Sequence, residues 1–361
     1  MPVTIHDVAG AAGVSVKTVS RVINNERWVQ AETRARVMQA IEDLDFHPNV
    51  LARNLVAKRT RTIGLVVPAV SNPFFALGID GCAAVADDQG YALSLAGTGI
   101  DPVDPEHEVR RVRALLAQRV AGIIVWASSL SSTAMSELMA QARHLCPVVF
   151  IDRPVDAGPL PGARQRAILV RQEDVGAMAT GHLLDEGRRR VAHISAGGSW
   201  PTEQRIMGYR KALVSRGEVF ESHLIRRAEH ATIREGGLAA AALLAQRPFP
   251  DAIFAYNDLL AIGALLACRE AGRNVPDDVA IVGVDDTQLA AVSTPPLSTI
   301  RLHQYRTGRL AVELIVRMIE SDAEAPPEAS GEPPPPELIV RHSSRAASTS
   351  VPSFEDFDQM W

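Results

Sequence analysis

Lys17 and Arg21 lie four residues apart in the segment VKTVSRVIN, behind Val16 and interleaved with Thr18, Ser20 and Asn24. On a helix that spacing places both cations on one face. Such a pair suits guanine O6 and N7 in the major groove, where arginine can bind bidentately. The hydroxyls and the amide suit phosphate oxygens or base edges. A second set recurs where apolar, strand-like runs end: Ser71-Asn72-Pro73-Phe74-Phe75, Trp126, Asp152-Arg153, Asn257-Asp258 and Asp285-Asp286, with Arg205 inside EQRIMGYRKAL. Carboxylates and amides hydrogen-bond pairs of sugar hydroxyls, aromatic rings cover the CH face of a pyranose, and arginine binds hydroxyls or a carboxylate.

Each of these residues also admits a structural role. A polar helix face can simply be solvated, Asp258 and Asp285 could cap the helices after them, and Arg153 could pair with a neighbouring carboxylate. Enzyme chemistry finds little support. The chain has no GxxxxGK[ST], no GxGxxG after its first strand-like run, and no metal-ligand spacing among its ten histidines. Gly97-Thr98-Gly99 is too short to count. No catalytic residue, cofactor or metal is therefore expected. A sugar-binding transport protein would explain the later residues but would leave residues 1–60 without a role.

The first set needs a helix held by a partner helix. Thr4-Ile5-His6-Asp7 reads as a capping box, a threonine N-cap with a carboxylate three residues on. The helix it opens stops at Gly13, which suits left-handed backbone, and Ser15 caps the next, over 16–24. That is helix-turn-helix spacing. A third helix over about 32–44 brings Val37, Ile41 and Leu44 against Ile5, Val8, Ala9, Val14, Val19, Val22 and Ile23 to close a small core.

The second set needs strands. After Thr62, apolar runs at 62–67, 92–96, 122–126, 147–151, 167–170, 191–195, 224–226, 252–255 and 279–284 alternate with amphipathic stretches at 74–88, 105–118, 175–186, 204–216, 236–245 and 259–271. Continuous apolar strands alternating with helices predict parallel sheets covered on both faces. The alternation is too long for one typical sheet, so two Rossmann-like lobes are expected, with a ligand in the cleft beyond the carboxyl ends of their strands. Residues 323–336 (AEAPPEASGEPPPP) read as a surface loop and 337–341 as a last strand. From about Ser343 the composition reads as a disordered tail without a leucine heptad.

Composition agrees with two kinds of unit in the 361 residues, 47% of them hydrophobic. No apolar run reaches the roughly 18 residues that span a bilayer. MPVTIHDVAG lacks a basic segment followed by an apolar stretch, so no secretory signal is expected. Cys82, Cys146 and Cys268 read as buried thiols in a reducing cytoplasm. Residues 1–62 carry a net charge of +3 and the remainder −8, a basic head on an acidic body.

The run TIHDVAGAAGVSVKTVSRVINN…VQAETRARVMQAIEDLDFHPNVLARNLVAKRTRTIGLVVP resembles the head of the lactose/galactose repressor (LacI/GalR) family, and the resemblance continues to about residue 344. It implies an all-α helix-turn-helix DNA-binding domain (1–47), a hinge (48–61), an α/β periplasmic-binding-protein-like body of two lobes for effector binding and dimerisation (62–344), and the tail (345–361). It also implies a homodimer in the bacterial cytoplasm, at the nucleoid and off the membrane. The dimer would bind a pseudopalindromic double-stranded operator and repress carbohydrate genes under allosteric control by a small sugar-like effector. Thr4 and Asn49 join the implied DNA contacts. Two hinge helices would order on DNA, Ala52 letting them approach and Leu55 wedging between base steps in the minor groove. A passive linker remains the alternative reading of 49–57. Phe74, Phe75, Trp126, Asp152, Arg205, Asn257 and Asp285 match the family's effector positions, with Trp126 standing where some members carry a polar residue.

Overall fold

The computed structural model describes residues 3–23, 28–46, 60–99, 105–126, 132–142, 145–155, 164–321 and 332–345. The chain divides into two compact units, Met1–Thr60 and Arg61–Trp361. The hinge readings at Asn49, Ala52 and Leu55, the helix end at Asn24, most of the Pro-rich stretch and residues 346–361 lie outside the described residues.

In the first unit, α1 (Ile5–Ala12), α2 (Val16–Ile23) and α3 (Ala31–Asp43) form the three helices expected. Thr4 and Asp7 close the cap, the threonine amide and hydroxyl donating to Asp7 Oδ2 at 2.8 and 2.7 Å. Gly13 takes φ 65°, and its left-handed turn lets the Val14 amide donate to the Ala9 carbonyl at 3.0 Å. Ser15 Oγ accepts from the Thr18 amide at 3.2 Å and so starts α2. Val8, Ala9, Ala12, Val19, Val22, Val37, Ala40 and Phe46 form the buried core, with Ile5, Val14, Ile23, Ile41 and Leu44 at its edge.

In the second unit, β1 (Thr62–Val67), α4 (Pro73–Asp88), β2 (Ala92–Gly97), α5 (Pro105–Ala117), β3 (Gly122–Trp126), α6 (Ser132–Ala142), β4 (Val148–Ile151) and β5 (Gln165–Ile168) build one lobe. Its sheet is parallel, in the order β2-β1-β3-β4-β5. The other lobe holds α7 (Gln172–Asp185), β6 (Val191–Ala196), α8 (Trp200–Ser215), β7 (Ile225–Ala228), α9 (Ile233–Leu244), β8 (Ala252–Ala255), α10 (Asp258–Glu270), β9 (Ala280–Val282), α11 (Gln288–Val292) and β10 (Thr299–Arg301). Its parallel sheet runs β7-β6-β8-β9. The chain then returns: α12 (Gln304–Glu320) buries Ala311, Val312, Leu314 and Ile315 in the first lobe's core, and β11 (Glu337–Ile339) pairs antiparallel with β10.

The apolar runs and amphipathic stretches read from the sequence did not include α6, α11, β10 or α12. The expected tail also begins later than Ser343. Ser343 is fully buried, its hydroxyl donating to the Ile281 carbonyl at 2.6 Å, and Ser344 Oγ lies 2.7 Å from His182 Nε2. Arg345 pairs with Glu186 at 2.6 Å. Short hydroxyl side chains look like tail composition, but here they satisfy backbone groups of the second lobe.

Facing glycines join three helix pairs. A Cβ on Gly176 (α7) would stand 2.1 Å from the Arg205 carbonyl, and one on Gly208 (α8) 1.9 Å from the Glu173 carbonyl. Gly236 and Gly263 do the same for α9 and α10, at 2.2 and 2.1 Å from Leu260 and Ile233 carbonyls, and Gly78 and Gly308 lie against each other between α4 and α12. No residue larger than glycine fits such backbone-to-backbone contact.

Candidate DNA interface and effector cleft

Burying Val19 and Val22 turns Lys17 and Arg21 outward, and both are exposed. Ser20 and Thr18 are half-buried beside them, and Thr18 Oγ1 lies 2.9 Å from Ser15 Oγ. Thr4 is exposed at the start of α1. Val16 departs from the outward face expected for it: it is half-buried and packs on the head's core. Its position is the first of α2, one turn ahead of buried Val19, so its methyls reach the same core.

In the second unit, every sequence-predicted cleft residue sits just beyond a strand's carboxyl end or on a helix facing those ends. Asn72 caps α4, its Oδ1 accepting from the Phe74 amide at 3.0 Å. This cap directs Phe74 and Phe75 towards Trp126 at the end of β3. Ring centroids lie 4.9 Å apart for Phe74 and Phe75, and 5.9 and 6.0 Å from each of these to Trp126, all edge to face. Phe74 is half-buried and packs on the cores of both lobes. Trp126 is 2% exposed, and a Cβ on Gly78 would stand 2.2 Å from its Cη2. The indole thus wedges against α4, which leaves Phe74 as the more accessible ring.

Asp152, at the end of β4, has φ 56°, and Asp285 and Asp286, beyond β9, have φ 119° and 52°. Positive φ at residues with side chains costs energy, and it gathers where function demands a fixed direction. Asp152 Oδ1 accepts from the Val170 amide at 3.1 Å, and burial pushes its carboxyl up to about 6. Asp285 is 5% exposed, and burial followed by repulsion from Asp258 holds its carboxyl well above the ordinary range. Arg205 is 3% exposed; its Nε donates to Gln172 Oε1 at 2.8 Å, its Nη1 to the Tyr256 carbonyl, and its guanidinium lies 4.3 Å from the Tyr256 ring centroid. Asn257 caps α10, with Oδ1 accepting from the Leu260 amide at 3.0 Å, so its amide nitrogen is what it can still offer.

The two neighbouring aspartates turned out structural. Asp258 accepts from Thr299 Oγ1 at 2.6 Å and from the Thr287 amide and hydroxyl at 2.8 and 3.0 Å. Asp286 pairs with Arg301 at 2.8 Å and Arg341 at 2.7 Å.

Sequence reasoning missed Gln172, His193 and Ser195. All three are buried, and among the described residues His193 Nε2, Ser195 Oγ and Trp126 Nε1 have no hydrogen-bond partner, while the Gln172 side chain also hydrogen-bonds the Asp152 carboxyl. His193 Nδ1 lies 2.9 Å from the Phe254 carbonyl, and burial drops the imidazole to about 3, so the ring is neutral. Ser195 stands one residue before the end of β6, close to where the rule that picked Asp152 looks. Unpaired buried polar atoms are uncommon in folded proteins, and those near Arg205, which interacts with His193 and Gln172, fit a site that completes its hydrogen bonds with a ligand. Among the described residues no group of three or more His, Cys, Asp or Glu is placed to hold a metal, and no helix is long and apolar enough to cross a membrane.

A helix-turn-helix head and a two-lobed α/β body with a polar cleft define a DNA-binding transcription regulator controlled by a small molecule. Residues 4–49 match the description "Bacterial regulatory proteins, lacI family" and residues 180–344 "Periplasmic binding protein-like domain". The chain is 36% identical to the HTH-type transcriptional regulator DegA of Bacillus subtilis over 352 residues, 97% of this chain and 100% of that one. It is 33% identical to the HTH-type transcriptional repressor PurR of Vibrio campbellii, over 94% of this chain and 98% of that one. Among solved structures, the lac repressor dimer bound to operator and the anti-inducer ONPF superposes with a TM-score of 0.83 at 27% identity, covering 96% of this chain and 100% of that one. The transcriptional regulator CelR–cellobiose complex does so at 0.67 and 30% identity, over 94% and 99%. The chain belongs to the lacI family of bacterial regulatory proteins and is a transcriptional regulator, not an enzyme.

Proposed function

We propose that this regulator is a repressor of carbohydrate genes that binds a pseudopalindromic operator as a homodimer, with a sugar-like effector in the body's cleft setting its DNA affinity. The observation that carries the DNA half is the outward pair Lys17 and Arg21 on the second helix of a capped helix-turn-helix. Thr4, Thr18, Ser20 and Asn24 add polar contacts, and the hinge residues Asn49, Ala52 and Leu55 belong to the same proposal on sequence grounds. The dimer and the operator are supported by the lac repressor complex.

The sugar half is supported by the cleft's chemistry and by the CelR–cellobiose complex. Phe74, Phe75 and Trp126 form an apolar wall, while Asp152, Arg205, Asn257 and Asp285 offer acceptors and donors suited to hydroxyl pairs. No charged groups beyond these are needed to bind a pyranose.

Selection of genomic fragments on the purified protein, followed by gel retardation, tests the reading. The expected product is a site with two-fold symmetric half-sites whose retardation changes when the cognate sugar is added. Arg205→Ala should retard the same fragment in the absence of sugar yet ignore the sugar. A protein that prefers no duplex over competitor DNA at moderate salt, with or without metabolites, would overturn the reading.

A further inference from the structure

We infer that residues 346–361 return to the body they follow and dock on the outer side of α8, with their aromatic side chains against it. Neither the DNA-reading face nor the cleft uses that side of the helix.

Three exposed large apolar side chains of the second lobe stand together there. Met207 and Val214, 52% and 61% exposed, lie seven apart on α8, and Val219, 76% exposed, follows the helix. Arg210 falls between the first two on the same ridge. Its guanidinium sits 5.3 Å from the ring centroid of half-buried Phe220, which brings Val219 up against the helix. Arg210 meets no carboxylate among the described residues, whereas Lys211 beside it pairs with Glu173 at 2.6 Å. The inner side of α8 is already occupied: Gly208 lies against the Glu173 carbonyl, and Arg205 reaches Gln172. An apolar ridge carrying a cation suits a partner that is apolar on one side and acidic on the next.

The residues after Arg345 answer that description. They run AASTSVPSFEDFDQMW, with three carboxylates and no Lys or Arg. Ser353 and Asp356 have the spacing of a capping box. Phe354, Phe357 and Trp361 recur at the same intervals as Met207, Arg210 and Val214, and so share one side of a helix. Glu355, Asp356 and Asp358 take the remainder, and those at its margin offer Arg210 a carboxylate. A helix this short is marginal in water, so it forms only as it buries its aromatic side.

The point of departure decides which face is in reach. Asp185 and Glu186, at the end of α7, hold Arg216 at 3.0 Å and Arg345 at 2.6 Å. Arg216 lies between Val214 and Val219 in the chain, so the last described residue stands beside the ridge. Residues 346–352 extend at most about 25 Å. A helix over 354–361 then covers about 12 Å, the length of the ridge.

Disulfide trapping in the full-length protein tests the docking. Cys82, Cys146 and Cys268 are buried, so introduced thiols react with each other. Ser215→Cys borders the ridge, Met360→Cys borders the aromatic side, and Leu145→Cys is a control at an exposed site of the first lobe. Under mild oxidation, Ser215→Cys with Met360→Cys should close within one chain at least roughly tenfold faster than Leu145→Cys with Met360→Cys. Arg210→Glu should cut that advantage severalfold, and Phe354→Ser with Phe357→Ser should remove it. Equal rates for the two pairs would overturn the proposal, as would closure that survives the loss of both phenylalanines, the mark of a tether colliding at random. A disulfide linking two chains would overturn it as well and give the face to a second copy.

Discussion

Lys17 and Arg21, proposed to read DNA, stand on the outside of an eight-residue helix, whereas most residues proposed to hold the effector are buried and tied to their neighbours. Lys17 and Arg21 ride on a surface whose scaffold is a handful of small apolar side chains, while Arg205 is fixed by an amide, a carbonyl and an aromatic ring. The difference follows from the partners. A duplex is large and stiff and brings its own order, so long side chains can find phosphates and base edges on arrival. A small molecule offers a few atoms, so its site must be organised before it comes.

This contrast can be broken by substitution. Trp126→Ala should do the most damage, about 3–5 kcal/mol from the cavity left by a fully buried indole, measured by urea denaturation. It should also abolish the effector response, whereas a loss under roughly 1 kcal/mol, the scale of an exposed site, would mean the wedge against Gly78 is loose. Gly176→Ala comes next. Its Cβ would meet the Arg205 carbonyl at 2.1 Å, and such overpacking costs about 1–3 kcal/mol. Calorimetric effector affinity should fall with the melting temperature, because α8 must retreat and take Arg205 from Gln172.

Variants in the head should separate function from stability. Arg21→Ala should cost about 1–3 kcal/mol of operator binding and relax preference at one base pair, with an unchanged melting curve. Equal loss on random DNA would show that Arg21 contacts phosphate and not a base. The smallest effect is expected from Gly10→Ala in α1, where an added Cβ meets nothing within 4 Å. There the change should stabilise the head by about 0.5–1 kcal/mol, in contrast to every clasping glycine of the body.

Legibility in the sequence divided along the same line. The head's caps, turn and core could be read residue by residue because they are set by neighbours within a few positions: Thr4 with Asp7, Gly13 with Ala9, Ser15 with Thr18. Strands β1 to β9 were also visible as apolar runs, and with them the residues at their ends. What escaped depends on distant partners. Nothing local distinguishes Asn257, whose Oδ1 caps a helix, from a ligand contact, or Asp286, which two arginines neutralise. Gln172 matters only because Arg205, far along the chain, reaches back to it. Helix α12 is amphipathic in sequence, yet that it serves the first lobe is decided by Gly308 meeting Gly78.

The return of α12 to the first lobe, and of β11 and Ser343 to the second, bears on the order in which the chain can be made and folded. The head's core is complete by Phe46, early in synthesis. Neither half of the body can close its core until residues 304–344 have left the ribosome, so both halves mature after the head. A chain halted at residue 303 would present a finished reading head on an unfinished sensor, and with it the prospect of a molecule that meets DNA but takes no instruction.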